Sequence, residues 1–240
     1  MRNLLPAALI IGILLFPFAS CQDMFTTSLA SGLSRSGYGI SSSTSVDDLI
    51  SIIKGPYGGD SSVAREVMDA LGTKTAAELN SLSTEDKTTI LNAATDATVD
   101  TGKALDILKS YDSSTSDTDK LISDILNVFD TNVDLGAVDT LLANSDVQNS
   151  VPVDTLVFAS VVVLADVATE VGEQTIKDIV ADPSTIDNYS LTPEQKARVE
   201  NVIAVSDVLV NSRAQEVTDM GTGLGFDLME LLPKVNTPNP

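Results

Sequence analysis

The stretch from residue 151 to residue 171 constrains the fold most. Its central part, residues 156 to 165, is apolar apart from Ser160. A helix that is apolar on every face has to be buried on all sides. Valines also suit a buried strand, but the length of the run, Pro152 as an early helical residue and Gly172 after its end favour a helix. A bilayer span takes about 20 predominantly apolar residues, and the apolar centre of this run is shorter than that. We therefore predict a core helix at the centre of the fold and not a membrane span.

Helix start and stop signals recur on both sides of this run, whereas strand signals are poor. The clearest start is Thr192, Pro193 and Gln195, which supply a cap, a proline at the first helical position and a glutamine placed for a capping box. Cap residues, helical spacing of apolar residues, and glycine or proline stops predict helices over residues 45–53, 60–71, 83–94, 117–129, 151–171, 173–182 and 192–210, with short pieces at 76–79 and 226–232. Residues 105–108 either continue the helix that starts at Ser83 or form the next one.

These elements predict an all-α protein with a single globular multi-helix domain over residues 46–232. About 190 residues are enough for one sizeable core. Two helix starts, near residues 45 and 116, are similar, but a repeat array needs a fixed short period in at least about three copies, so we expect an irregular helical bundle or array. Residues 233–240 are predicted to be a flexible tail.

The first residues have the composition of a processing signal. Arg2 precedes an apolar run over residues 4–18, and the small residues Ala19 and Ser20 follow it. Cys21 comes directly after them and is the only cysteine of the chain, so it cannot form a disulfide within the chain. An uncleaved membrane anchor and a buried free thiol at Cys21 are the alternatives.

The residues Phe18-Ala19-Ser20-Cys21 resemble the lipobox of bacterial lipoproteins, whose cysteine is lipidated on its thiol and becomes the new N-terminus. Phe18 stands where leucine is usual. Relaxed lipoboxes of this kind are familiar among spirochaete lipoproteins, and residues 21–28 also resemble the start of uncharacterised members of that group. The resemblance implies a signal peptide over residues 1–20 and fatty acids such as palmitate on Cys21. It also implies localisation in the bacterial cell envelope, on the inner or outer membrane, either periplasmic or surface-exposed.

Residues 22–45 are rich in serine, glycine and threonine and are predicted to be a flexible tether behind the lipidated Cys21. A coil of about 20 such residues has a root-mean-square span of roughly 25 Å. Stable anchoring takes two or more acyl chains, which the diacylglyceryl group of a lipoprotein supplies. The membrane, reached through acyl chains on Cys21, is therefore one expected partner.

The charge balance excludes some partners. The chain has 14 basic and 34 acidic residues, a formal net charge of -20, and its basic residues form no cluster. Phosphate binding depends on lysines and arginines that neutralise charge, so we expect no binding to nucleic acid. The same balance argues against electrostatic adhesion to anionic lipid headgroups. Solubility is the simplest reason for the acidity.

The residue types that are absent narrow the chemistry. The chain has no histidine and no tryptophan. With its one cysteine assigned to lipidation, Ser-His-Asp and Cys-His catalysis, histidine-ligated zinc and thiol redox chemistry are excluded. A pair of acids flanking a substrate, as in glycosidases, stays open, but no pair stands out. We therefore predict no catalytic residue, no metal site and no cofactor.

Two patterns are similar to known sites but incomplete. Asp130, Asn132 and Asp134 alternate like the first ligands of a calcium loop, but Leu135 and Leu141 occupy the places of the turn glycine and the bidentate glutamate. Turn and cap roles explain these residues better. The alternating glycines near the C-terminus follow no predicted strand and precede no suitable acid, so they indicate a loop and not a dinucleotide site. They are Gly221, Gly223 and Gly225.

The sequence thus favours a non-enzymatic cell-envelope lipoprotein that contacts another envelope protein through a helical surface. One alternative is a ligand-binding accessory protein of an envelope transport system, which needs an enclosed, mostly apolar pocket. The other is a carboxylate-dependent hydrolase, which needs two acids facing each other across a cleft.

Overall fold

The computed structural model describes residues 39–99, 128–129 and 132–224. Within these ranges it is helical and contains no β-strand, which confirms the prediction of an all-α domain. The α-helices are α1 Val46–Ile53, α2 Ser61–Gly72, α3 Ala76–Asn80, α4 Thr84–Thr98, α5 Gly136–Leu142, α6 Ser145–Ser150, α7 Val153–Val171, α8 Glu173–Ala181, α9 Pro193–Asn211 and α10 Ala214–Leu224, and a 3-10 helix covers Pro183–Asn188.

The central helix is α7, as the apolar run predicts. It contacts α4, α5, α8, α9 and α10, and Leu156 and Val163 are fully buried. Phe158 and Leu164 are only partly buried, so one edge of the helix lies nearer the surface than the sequence suggests. Gly172 ends the helix at a φ of 94°, a conformation that glycine adopts without a steric penalty.

The remaining helices form two groups that share one core. In the first group α1, α2 and α4 contact one another, and in the second α8, α9 and α10 pack around α7. The short helix α5 contacts members of both groups, namely α2 and α4 on one side and α7 and α9 on the other. The buried apolar residues form one continuous cluster from Leu49 to Val217. The two groups are therefore joined by direct contact between α4 and α7 and also through α5.

Local cap chemistry fixes most helix starts where the sequence places them. Ser45, Asp60 and Ser83 each accept a hydrogen bond from a main-chain N–H in the first turn of their helix. At α9, Thr192 Oγ1 accepts from the Gln195 N–H at 3.2 Å, and Gln195 Oε1 accepts from the Thr192 N–H at 2.9 Å. These bonds satisfy N–H groups that would otherwise lack a partner.

Two boundaries differ from the predictions. The helix that begins after Ser83 runs through residue 94, as predicted, and ends at Thr98. Pro152 is the N-cap of α7 and not a helical residue, because its ψ of 142° is extended. Phe129, predicted to end a helix, pairs instead with Val99 in an isolated antiparallel bridge. The predicted pieces over residues 105–108, 117–127 and 226–232 lie outside the described residues.

The loop predicted at the alternating glycines is wrong for two of them. Gly221 and Gly223 lie inside α10, while Gly225 lies outside the described residues. Glycine disfavours a helix by about 1 kcal/mol relative to alanine. The helix forms here because it packs against α7 and α9 and buries Val217 in the core.

The described chain begins before the predicted domain boundary at residue 46. Ile40 packs against the core, and Lys74 Nζ donates hydrogen bonds to the main-chain oxygens of Ser42 and Thr44, each at 2.6 Å. The end of the predicted tether is therefore held against the junction between α2 and α3. Residues 22–38 of that segment lie outside the described residues.

Candidate functional site

The predicted lipidation residue, Cys21, lies outside the described residues, and so does Asp130 of the calcium-like pattern. The structure describes Asp134, whose Oδ1 accepts a hydrogen bond from the Gly136 N–H at 2.8 Å at the start of α5. The Asp134 N–H in turn donates to Asp69 Oδ1 at 3.0 Å. Asp134 therefore has the turn and cap role that the sequence favours.

Metal ligation finds no support in the part of the chain that the structure describes. There, no group of three or more histidine, cysteine, aspartate and glutamate side chains is placed to hold a metal ion. The described helices also include none that is long and apolar enough to cross a membrane.

The most unusual polar feature is a group of charged side chains between three helices, which we call the Arg198 cluster. It consists of Arg198 on α9, Asp139 on α5, and Asp166 and Glu170 on α7. Arg198 Nη2 donates to Asp166 Oδ2 at 2.7 Å, its Nε lies 2.9 Å from Asp139 Oδ2, and its Nη1 lies 3.9 Å from Glu170 Oε1. The Arg198 side chain is only 11% exposed. The cluster therefore joins α5, α7 and α9 by ionic contacts.

Local structure positions each member. The capping box at Thr192 fixes the start of α9, and Val199 and Val202 on the buried side of that helix bring Arg198 to the core boundary. Gln195 of the same box donates from Nε2 to Glu170 Oε2 at 2.6 Å. Asp166 and Glu170 are four residues apart on α7 and so share one face.

The cluster is under-neutralised. Desolvation raises the pKa of Asp139 to about 6, against the opposing effect of Arg198. Desolvation also raises the pKa of Asp166, again against Arg198. Asp139 Oδ1 is buried and has no hydrogen-bond partner, and the Arg198 Nε–H is not directed at an acceptor although Asp139 Oδ2 is near. Desolvation therefore shifts the pKa values of these two acids more than the contacts with Arg198 do.

Chemically, this arrangement is an interhelical ion network. Arg198 contacts acids from two other helices and is itself nearly buried. A hydrolase needs two acids that face a substrate across a cleft, whereas these acids face an arginine. The geometry suits helix packing and proton binding.

Sequence reasoning did not single out this cluster. A signal was present, because Asp166 follows the all-apolar centre of α7 and Arg198 stands beside the buried stripe of α9. Charged residues are almost never buried unless they are paired, so both positions imply a partner. The identity of the partner depends on how the helices pack.

Comparison with known proteins gives no family for this chain, since no family model matches it and neither the curated proteins nor the solved structures contain a match. Any functional assignment therefore rests on the residues of the chain itself.

Proposed function

We propose that this protein is a non-enzymatic lipoprotein of the bacterial cell envelope, anchored by acyl chains on Cys21. Its helical domain would contact another envelope protein. The observation that carries the proposal is the placement of the only cysteine of the chain, which directly follows an apolar run and the small residues Ala19 and Ser20. Those residues resemble a lipobox.

The start of the described chain supports a tethered arrangement. A domain held by one segment needs a firm attachment point, and residues 40–45 are fixed by Ile40 in the core and by the two hydrogen bonds from Lys74. Ser45 then caps α1 directly. A pull on the tether would therefore act first on this docked turn and not on the end of α1.

The surface favours a protein partner bound reversibly. Among the described residues, Tyr57 is a large apolar side chain that is more than half exposed, at 54%. Elsewhere in residues 39–99, 128–129 and 132–220 the large apolar side chains are buried or partly buried. A partner would therefore contact mainly polar and charged groups around a small apolar area, which suits a non-obligate interface.

Anchoring is tested by labelling a bacterial culture with an alkyne fatty acid and fractionating its membranes. We expect the wild-type protein to carry the label and to sediment with membranes, and Cys21→Ser to lose both properties. The matched control is Cys21→Ser combined with Ser28→Cys, which restores a thiol outside the lipobox-like run and should stay unlabelled. Label on either variant would contradict the proposed lipidation.

Partner contact is tested by chemical cross-linking in intact cells followed by mass spectrometry of the captured proteins. The control is a fusion of residues 1–38 to an unrelated helical domain, which keeps the anchor and removes the proposed contact surface. We expect at least one envelope protein to be enriched with the wild-type chain and not with the fusion. Equal capture by both would show that the domain adds no contact of its own.

A further inference from the structure

We propose that the Arg198 cluster is a proton-linked clamp, which binds a proton in mildly acidic solution, holds α5 against α7 and α9 in that state, and loosens when the proton is lost. This inference concerns the domain itself and does not depend on the proposed lipid anchor.

The count of charges in the cluster carries the argument. Three carboxylates, those of Asp139, Asp166 and Glu170, lie within 4 Å of one guanidinium, with N···O distances of 2.9, 2.7 and 3.9 Å. A single positive charge cannot neutralise three negative charges. Glu170 is 46% exposed and its charge is solvated, but the side chains of Asp139 and Asp166 are only 23% and 14% exposed. The excess negative charge therefore lies largely out of water.

Hydrogen bonding compensates for this charge only in part at Asp139. Arg198 lies beside Oδ2 and opposes the rise of the pKa, but Oδ1 is buried and accepts no hydrogen bond. A buried ionised carboxylate with an unpaired oxygen is costly, and it takes up a proton and becomes neutral in preference to remaining charged. Asp139 is therefore the position where a proton relieves the largest cost.

Most of the groups around Asp139 also disfavour its ionised form. Desolvation is the largest effect, and the negative charges of Asp166 on α7 and Glu194 on α9 add to it. Arg198 on α9 opposes them, but the pKa of Asp139 still rises to about 6. The other helices that contact α5 are α2, α3, α4 and α6, and none of their charged residues is among the groups that shift this pKa. Because Asp139 and Asp166 share one guanidinium, they titrate as a pair.

The sign of the effect follows from linkage. The folded-state pKa of Asp139 is about 6, above its ordinary value of 3.8, so between these values the folded state binds more protons than the unfolded state. Stability from this group therefore increases as pH falls through 6 and decreases as pH rises. For one such group the unfolding equilibrium constant rises about tenfold between pH 5 and 7.5.

The test is urea unfolding of the full-length chain at a series of pH values, followed by circular dichroism. Asp139→Asn mimics the protonated acid and cannot titrate. Between pH 5 and 7.5 we therefore expect the unfolding constant of this variant to rise about tenfold less than that of the wild-type chain. The matched control is Asp146→Asn on α6, an exposed aspartate outside the cluster, which should keep the rise of the wild-type chain. Identical pH dependence in the two variants would overturn the proposal.

A second measurement covers the case in which Asp139→Asn fails to fold. In the wild-type chain, carbon-13 NMR of the aspartate carboxyl groups gives the titration midpoint of Asp139 directly. We expect a midpoint above about 5 and a second step from Asp166, since the two are coupled. A midpoint below about 4, near that of a solvated aspartate, would show that the cluster binds no extra proton in mild acid.

Discussion

Replacing Arg198 with methionine removes the guanidinium that contacts Asp139 and Asp166 but keeps a long apolar side chain at the same place on α9. Breaking a buried ion pair by removing one partner costs about 3–5 kcal/mol, because the other charge stays buried and uncompensated. Here the two acids are 23% and 14% exposed and can also become protonated. We therefore expect a loss of about 2–4 kcal/mol of unfolding free energy at pH 7.5. That is a large share of the 5–15 kcal/mol of a typical domain.

The assay is urea unfolding at fixed ionic strength, with Lys196→Met as the matched control. Lys196 lies on the same helix and also pairs with an acid, but Asp187, its partner, is 77% exposed. Exposed ion pairs contribute little to stability, so this control should unfold like the wild-type chain although it removes the same charge. A comparable loss in both variants would mean that net charge, and not the buried cluster, determines the result.

The cost of Arg198→Met should also depend on pH. At pH 5 Asp139, whose pKa is raised to about 6, is largely protonated and needs the guanidinium less, so the loss should be smaller than at pH 7.5. Combining Arg198→Met with Asp139→Asn should cost less than the sum of the single changes, because residues in one ion network are not independent. An additive double variant would refute the contact between them.

Two further predictions concern the first helices. Gly58→Ala should lower the free energy of unfolding by about 2–3 kcal/mol in a thermal or urea unfolding series, because an added Cβ would lie 1.5 Å from the main-chain oxygen of Ile53. The control is Gly59→Ala, where an added Cβ has nothing within 4 Å, and it should change stability by less than about 0.5 kcal/mol. Lys74→Met should accelerate amide hydrogen exchange in residues 41–45 and leave exchange in α7 unchanged, since Lys74 holds only that turn; unchanged exchange in residues 41–45 would contradict its role.

The helix starts were predictable because their information is local. The start of α9 lies within residues 192–195, where Thr192, Pro193 and Gln195 form the cap without any distant contact. The same holds for Ser45, whose oxygen accepts from the Asp48 N–H within one turn. Where the signal is a single residue, the boundary shifts, as with Pro152, because a proline suits both the cap and the first helical position.

Helix α10 was harder to predict because distant packing determines whether it forms. The low helix propensity of glycine predicted a loop at Gly221 and Gly223, yet α10 packs against α7 and α9 and buries Val217. The two glycines together disfavour the helix by about 2 kcal/mol, and burial of the Val217 side chain alone, at about 1.5–3 kcal/mol, is enough to offset this. Packing therefore outweighs local helix propensity where the apolar face of a helix is buried against its neighbours.

The Arg198 cluster shows why the candidate site was beyond the sequence. With 34 acidic and only 14 basic residues, most acids have no counter-charge, so the sequence cannot show which of them is paired. Only burial separates an acid that water solvates from one that binds a proton in mild acid. Asp139, Asp166 and Arg198 stand on three helices, α5, α7 and α9, each of which contacts the other two. The chemistry of this site is thus a property of helix packing, and a change that moves α5 should alter the proton affinity of Asp139 without touching any member of the cluster.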